Sequence, residues 1–226
     1  MSGPHQQLAW LAAIAYFIGA LPFGLIVGKL KGTDIRDHGS KNIGASNAGR
    51  VLGQKFFWIV FGLDFLKSLL PMVVASVIVQ TQMEPSQRTQ LTYLLWISVG
   101  LTAVLGHVFP VYLKFRGGKG VATSAGVILG LWPYFTAAGF GAVIIFVTVL
   151  WLSRYISLSS IAAAVGFPIV YASLGIFRGW DLTGRQLPLL VLSLGLSALV
   201  IWRHRENIHR LRAGSENKVR AAGGAS

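Results

Sequence analysis

Gly39-Ser40-Lys41-Asn42-Ile43-Gly44-Ala45-Ser46-Asn47-Ala48-Gly49-Arg50 is a polar, glycine-punctuated dodecapeptide in a chain that is otherwise mostly hydrocarbon. Gly39, Gly44 and Gly49 permit positive φ and close backbone approach, and Ser40, Asn42, Ser46 and Asn47 offer short hydrogen-bonding groups. Lys41 and Arg50 add positive charge, with no carboxylate inside the segment. Successive N–H groups in such a loop form an anion-binding concavity, and a helix starting near Val51 would aim its N-terminus at the same place. Two readings are open at this point: a loop that binds an anion, or a plain connector between two membrane helices. Further segments of the same character decide between them.

Working outward, the chain of 226 residues is 54% hydrophobic and 12% charged, with mean hydropathy +0.62. That composition predicts one all-α integral membrane domain over residues 1–226, with the last ten or so residues as a tail. Met1 to Gln7 carries no Lys or Arg before a long apolar run, which argues for a retained span over a cleaved signal peptide. There is no cysteine, so disulfides, thiolate metal sites and cysteine nucleophiles are excluded. Only seven carboxylates are present and only Asp34 and Asp37 are near neighbours, so neither paired-carboxylate hydrolysis nor a polynuclear metal site is supported.

Apolar runs predict spans at Leu8–Leu30, Phe56–Val79, Leu91–Gly106, Leu158–Phe177 and Leu187–Trp202, with kinks near Pro22 and Pro168. Val121–Leu152 contains no charge and is longer than one ordinary span. The distribution of Lys and Arg favours two crossings there, turning at Gly130-Leu131-Trp132-Pro133. That count of seven spans, with the N-terminus outside and the C-terminus cytoplasmic, puts sixteen cations inside and three outside. Trp10, Trp132, Trp151 and Trp202 fall near span ends, where indole favours the interface.

The same topology places three polar segments on the inner side. The second, Gly106 to Gly120, ends in Arg116-Gly117-Gly118-Lys119-Gly120 ahead of a helix, a phosphate-seeking combination of backbone donors, helix N-terminus and cation. It is not a Walker A loop, because Gly120 stands where Ser or Thr is required. Setting topology by contact with anionic lipid is the bland alternative for Lys114, Arg116 and Lys119. His107 is either a general base or an interfacial histidine held by hydrogen bonds. In the third segment His204, Asn207, Ile208 and Leu211 share a helical face, Arg203, Arg205, Arg210 and Arg212 read as a lipid-facing or solvated collar, and Gly214-Ser215-Glu216 ends the structured part. Asp64 and Lys67, at i,i+3 within a span, either pair with each other or serve the site. Ser157, Ser159 and Ser160 either line the site or cap a helix.

Cations, glycine backbone, hydroxyls, amides and histidines beside a membrane suit transfer chemistry on phosphate-bearing substrates, one of them lipid-like, by positioning and electrostatic stabilisation. The rival class is a transporter or channel for an anionic, phosphorylated metabolite, which calls for polar groups deep in several spans and often a duplicated half. Here buried charge is confined to Asp64 and Lys67 and no internal repeat is present. A nucleic-acid binder fits less well, since no aromatic platform is interleaved with the basic residues.

With these residues assembled, the sequence resembles the PlsY-type acyl-phosphate:glycerol-3-phosphate acyltransferases of bacterial inner membranes over nearly its whole length. Gly39, Ser40, Asn42, Gly44, Ala45, Ser46, Asn47 and Arg50 meet that family's first motif, Gly106 to Gly120 its second, and His204, Asn207, Arg210, Leu211 and Gly214 resemble its third. The resemblance implies transfer of a fatty acyl group from acyl phosphate to the sn-1 hydroxyl of glycerol 3-phosphate, giving lysophosphatidic acid and phosphate in phospholipid biosynthesis. It implies a multi-pass location in the bacterial inner membrane, no metal or cofactor, and an upstream enzyme that supplies acyl phosphate. Ser40, Arg50, Lys119, His204 and Asn207 would be catalytic. Gly39, Asn42, Gly44, Ser46, Asn47, His107, Gly117, Gly118, Gly120, Ser157 and Gly214 would bind substrate. The soluble-type acyltransferase signature, histidine with aspartate five positions on, is absent.

Overall fold

A computed structural model describes residues 3–219. The described chain is helical: α1 Gly3–Gly19, α2 Phe23–Leu30, α3 Ala45–Leu52, α4 Gln54–Gln82, α5 Gln90–Val108, α6 Val121–Gly130, α7 Thr136–Ser153, α8 Ile156–Phe177, α9 Leu187–Arg203 and α10 Arg205–Arg212. Pro22, which lacks an N–H and restricts the residue before it, separates α1 from α2 as expected. Pro168 is accommodated inside α8.

Side-chain hydrogen bonds set the helix directions. His5 reaches Thr92 at 2.9 Å, Thr102 donates to the Ala12 carbonyl at 2.7 Å and Tyr16 to that of Phe109 at 2.8 Å, so α1 and α5 run parallel. Ser68 donates to the Thr123 carbonyl at 2.7 Å and Ser76 to that of Gly130 at 2.6 Å, so α4 and α6 are parallel as well. Gln82 with Gln7, and Lys67 with the Leu21 carbonyl, make α4 antiparallel to α1. The α1–α5 seam is closed by glycine: a Cβ on Gly19 would strike the Ala103 carbonyl and one on Gly106 that of Tyr16. Small residues bring helix backbones into contact where lipid offers no hydrophobic drive between helices.

The spans differ from the expected seven. Five segments are long and apolar enough to cross a membrane: Gly3–Leu30, Gln54–Gln82, Gln90–Leu113, Thr136–Ser153 and Ile156–Phe177. A sixth is added if Leu187–Arg203 and Arg205–Arg212, bent by 56°, are taken together. The chain does turn between residues 130 and 136, but α6 has ten residues, about 15 Å at 1.5 Å per residue. It begins level with Ser68, some 20 Å along α4. The glycine-rich segment before it takes the place of the missing half-span by dipping into the bundle. Hydropathy reads composition and not depth, so a half-helix and a full one look alike.

At the end remote from that segment, buried Trp96, Tyr93, Tyr171 and Phe135 form an aromatic cluster with half-buried Tyr134, the Tyr93 and Tyr134 hydroxyls lying 3.0 Å apart. Trp10, Trp132 and Trp151 are exposed, in keeping with interfacial anchors. Of the expected tail, residues 220–226 lie outside the described residues. Glu216 to Val219 do not trail away: the Val219 N–H donates to the Arg154 carbonyl at 2.8 Å.

Since the chain has no cysteine, the fold is testable by labelling. In otherwise wild-type protein, Lys41→Cys and Ser215→Cys should react with an impermeant thiol reagent from one side of sealed vesicles, and Ser86→Cys and Asp181→Cys only from the other.

Candidate active site

The three polar segments meet in one cavity of about 1110 Å³. Its polar end is lined by Ser40, Asn42, Arg50, Lys119, His204, Asn207, Arg210 and Glu216. An apolar arm continues between α6, α7, α8 and α9 past Ile128, Val143, Phe146, Ala163, Phe167 and Leu196.

In the first segment the polar residues divide their labour. Asn47 is 1% exposed, and its amide N–H groups donate to the carbonyls of Ile35 at 2.7 Å and His38 at 3.2 Å, while its Oδ1 accepts from the Ser40 N–H at 2.8 Å. It braces the loop with its amide groups and also lines the cavity. Gly39 has φ +60°, and a Cβ there would strike Asn47, so this position requires glycine on both grounds. Asn42 Oδ1 accepts from the Gly44 N–H at 2.9 Å, which starts α3. Lys41 holds φ +55°, a left-handed position that glycine would adopt with less strain. Ser40, Ser46 and Gly44 line the cavity, and exposed Arg50 faces it with no ion pair among the described residues.

In the second segment two glycines are pinned from both sides. The Gly117 and Gly118 N–H groups donate to the Val108 and His107 carbonyls, both at 3.1 Å. Arg203 donates to the carbonyl of Gly117 at 2.8 Å and to that of Gly118 at 2.8 and 3.1 Å. A Cβ on Gly118 would strike the His107 ring. Neither glycine is on the cavity wall, where Gly120 and Lys119 stand; their hydrogen bonds hold the chain. Arg203 is therefore part of the scaffold and not of a lipid-facing collar. Behind the glycines, the Lys67 ammonium is held by Asp64 at 2.8 Å, His107 Nδ1 at 2.9 Å and the Leu21 carbonyl at 2.8 Å. An ammonium can only donate, so His107 Nδ1 accepts and its proton resides on Nε2. Asp64 and Lys67 thus pair with each other, and Asp64 and His107 reach the cavity wall.

Lys119 donates to Asn207 Oδ1. Burial lowers the Lys119 ammonium to about 8, against the opposing pull of Glu216. His204 is buried at the bend between α9 and α10, and its ring Nδ1 lies 2.7 Å from the Val200 carbonyl. Nδ1 therefore donates, leaving Nε2 as the acceptor of the neutral ring. Gly214, φ +67°, does not line the cavity; it reverses the chain after α10 and returns Glu216 to the site. There Glu216 accepts from Ser157 Oγ at 2.9 Å, Asn207 Nδ2 at 2.6 Å and Arg210 Nε at 2.7 Å. Burial would raise its carboxyl, but these donors hold it below the ordinary range. Glu216 was not legible as a site residue, Arg210 was legible only through the third motif, and Ser157 serves Glu216. The one available sign was a lone carboxylate just past a helix-ending glycine in a strongly basic tail.

Fold and site together define a class: a multi-pass helical membrane protein in which a cationic, glycine-framed pocket opens into an apolar arm within the bundle. The chain belongs to the glycerol-3-phosphate acyltransferase family, whose sequence profile matches residues 9–214. It is 42% identical over 204 residues to the glycerol-3-phosphate acyltransferase of Desulfotalea psychrophila, covering 90% of this chain and 93% of that one. To the Aquifex aeolicus protein of the same name it is 39% identical over 218 residues, covering 94% and 100%. The crystal structure of PlsY, an integral membrane glycerol 3-phosphate acyltransferase in its glycerol 3-phosphate form, superposes with TM-score 0.78 at 34% identity, over 95% of this chain and 96% of that one. Its lysophosphatidic acid form gives 0.75 at 33% identity over the same shares.

Removing one partner of a buried pair strands the other charge, at a cost of about 3–5 kcal/mol. Lys67→Ala should therefore lower the unfolding temperature in detergent sharply, and the double variant Asp64→Asn, Lys67→Met should recover most of the loss.

Proposed function

We propose that this protein transfers a fatty acyl group from acyl phosphate to the sn-1 hydroxyl of glycerol 3-phosphate, forming lysophosphatidic acid and inorganic phosphate in the bacterial inner membrane. The observation that carries the reading is the continuity of a cationic pocket with an apolar arm, since the donor needs both at once. Its acyl chain lies along Ile128, Phe146 and Phe167, and its phosphate joins that of the acceptor among Arg50, Lys119 and the loop around Ser40. Arg50, free of any ion pair among the described residues, is available to receive a phosphate in the bidentate manner of a guanidinium.

The acceptor hydroxyl oxygen bonds to the acyl carbonyl carbon, the bond from that carbon to the phosphate oxygen breaks, and the electron pair leaves with phosphate. Acyl phosphate is a mixed anhydride with a good leaving group, so alignment and charge neutralisation supply most of what the step needs. The hydroxyl proton passes to a phosphate oxygen of the substrate; His204 Nε2 is the protein alternative. Asn207 and Ser40 orient the reacting groups. Donor supply falls to a separate enzyme that makes acyl phosphate, and the pocket faces the cytoplasm, where glycerol 3-phosphate is dissolved.

Lys119→Ala and Arg50→Ala should each reduce acyl transfer by roughly 10²-fold or more, the scale for loss of a key electrostatic group, while still inserting in the membrane. Wild-type turnover in both contradicts the assignment. His107→Ala and His204→Ala separate the proton routes: near-wild-type kcat in both supports the substrate-assisted route and excludes imidazole as base. Because Lys119 loses its proton near pH 8, the cation is present below that pH and lost above it. The kcat/KM for glycerol 3-phosphate should decline as pH rises through that range, and Lys119→Arg should remove the decline.

A further inference from the structure

We infer that the end of the bundle remote from the active site holds a second binding site, for a phospholipid headgroup that carries both a phosphate and a primary ammonium. It is a cavity of about 250 Å³ where three connections meet: Pro85 and Arg88 between α4 and α5, Tyr134 between α6 and α7, and Gly179 to Gln186 between α8 and α9, with Tyr93 of α5 on its wall. The inference is independent of the reaction proposed above, whose residues stand at the opposite end.

The cavity has a fixed frame and holds both signs of charge. Tyr93 and Trp180 each meet the Tyr134 ring edge to face, with centroids 5.9 and 5.5 Å apart. Gln90 Nε2 donates to the Gly184 carbonyl at 3.3 Å and the Trp180 N–H to that of Gly175 at 2.8 Å, which ties the α8–α9 connection to α5 and to the end of α8. Arg88 donates through Nε and Nη2 to the Met83 carbonyl at 3.2 and 3.1 Å, so its guanidinium is oriented while Nη1 keeps its hydrogens for a ligand. Arg185 Nε stands 3.9 Å from Asp181 Oδ2, too far for a hydrogen bond, and that oxygen accepts the Arg185 backbone N–H at 2.9 Å instead. Two guanidiniums and one carboxylate therefore border the same small space.

Gln186 sets the second requirement on the ligand. It is 8% exposed and lines the cavity, and its Oε1 has no hydrogen-bond partner among the described residues. Buried acceptors in folded proteins are almost always paired, so this oxygen points to a ligand that brings a donor. A phosphodiester without a donor answers the arginines and leaves Gln186 unmet. An ammonium beside the phosphate answers both, and Asp181 is the carboxylate placed to share it. The rim argues for a lipid as the carrier of that headgroup. Ile176 and Phe177, at the end of α8 just before Gly179, are exposed, as are Trp132 in the α6–α7 connection and Leu187 at the start of α9. Apolar and aromatic side chains exposed beside a polar pocket at the ends of spans put its mouth at the level of the headgroups.

The test is thermal unfolding of the delipidated full-length protein in neutral detergent. The titrants are phosphatidylethanolamine, phosphatidylcholine, whose headgroup has the same charges and no hydrogen-bond donor, and soluble phosphoethanolamine. Phosphatidylethanolamine should raise the unfolding temperature at lower concentration than phosphatidylcholine. Arg185→Gln, at a side chain 66% exposed and so tolerated by the fold, and Arg88→Gln should each raise the half-effect concentration roughly tenfold or more, the scale of a charge-assisted hydrogen bond. Gln186→Leu should level the two lipids and, without lipid, unfold above wild type, because the unpartnered acceptor is gone. Arg50→Ala, at the opposite end, should keep the wild-type response. Equal responses of wild type to both lipids overturn the inference, as does a response that Arg185→Gln leaves unchanged or that Arg50→Ala abolishes. A response to phosphoethanolamine that matches the lipid's overturns the assignment to a lipid. Acyl transfer by Arg185→Gln in detergent should run at the wild-type rate, so failure here leaves the proposed reaction standing; that reading fails instead on wild-type turnover in Lys119→Ala and Arg50→Ala.

Discussion

Two glycines pressed between the end of α5 and the guanidinium of Arg203 set the terms for the rest of the structure. Gly117 and Gly118 give their N–H groups to the Val108 and His107 carbonyls and their own carbonyls to Arg203, so all four backbone polar groups are satisfied. Irregular backbone can enter a membrane bundle only where it is paired in this way or lines a cavity. Side chains at these positions would collide with His107, and the segment could not descend. Because it does descend, α6 begins halfway along α4, and its first turn and Lys119 reach the interior of the protein instead of its rim. The device resembles the half-helices of membrane transporters, whose N-termini point at anionic groups. Here the half-helix opens onto a cavity with an apolar arm.

Charge is arranged around that constraint in two layers. Below the glycines, the Lys67 ammonium is paired with the Asp64 carboxylate and donates to His107 and the Leu21 carbonyl, so the charges at this level offset one another. Above them, Arg50, Lys119 and Arg210 outnumber the nearby carboxylates Glu206 and Glu216, so this level of the bundle carries an excess of positive charge. The cavity's affinity for anions thus comes from an imbalance left at one level of the bundle, while the level beneath it is compensated. Glycerol-3-phosphate acyltransferase chemistry needs this division, because a rigid floor lets binding energy act on the reacting groups.

Much of this was legible in the chain itself. The apolar runs marked the long helices within a few residues, and placing three glycine-and-cation segments on one side anticipated their convergence. Ser40, Arg50, Lys119, His204 and Asn207 do line one cavity. What escaped was decided by tertiary contact. The charge-free run from Val121 to Leu152 holds a half-helix and a full one, and nothing in its composition marks the difference in depth. Arg203 and Arg210 look like any basic residues at a membrane edge, yet one clamps glycine carbonyls and the other binds Glu216. Asn47 belongs to a binding motif by type and to a loop brace by its hydrogen bonds. Glu216 needed the reversal at Gly214 to reach the site, and a reversal that brings a residue back beside α8 has no local signature.

The central claim is that the cavity joins two phosphate-bearing molecules and transfers a group between them, and does not carry one across. Purified protein reconstituted in sealed vesicles and given acyl phosphate with radiolabelled glycerol 3-phosphate on one side tests this directly. The account predicts that label enters the lipid fraction as lysophosphatidic acid, with one inorganic phosphate released for each molecule formed. Label recovered unchanged from the vesicle lumen, with no release of phosphate, would contradict it.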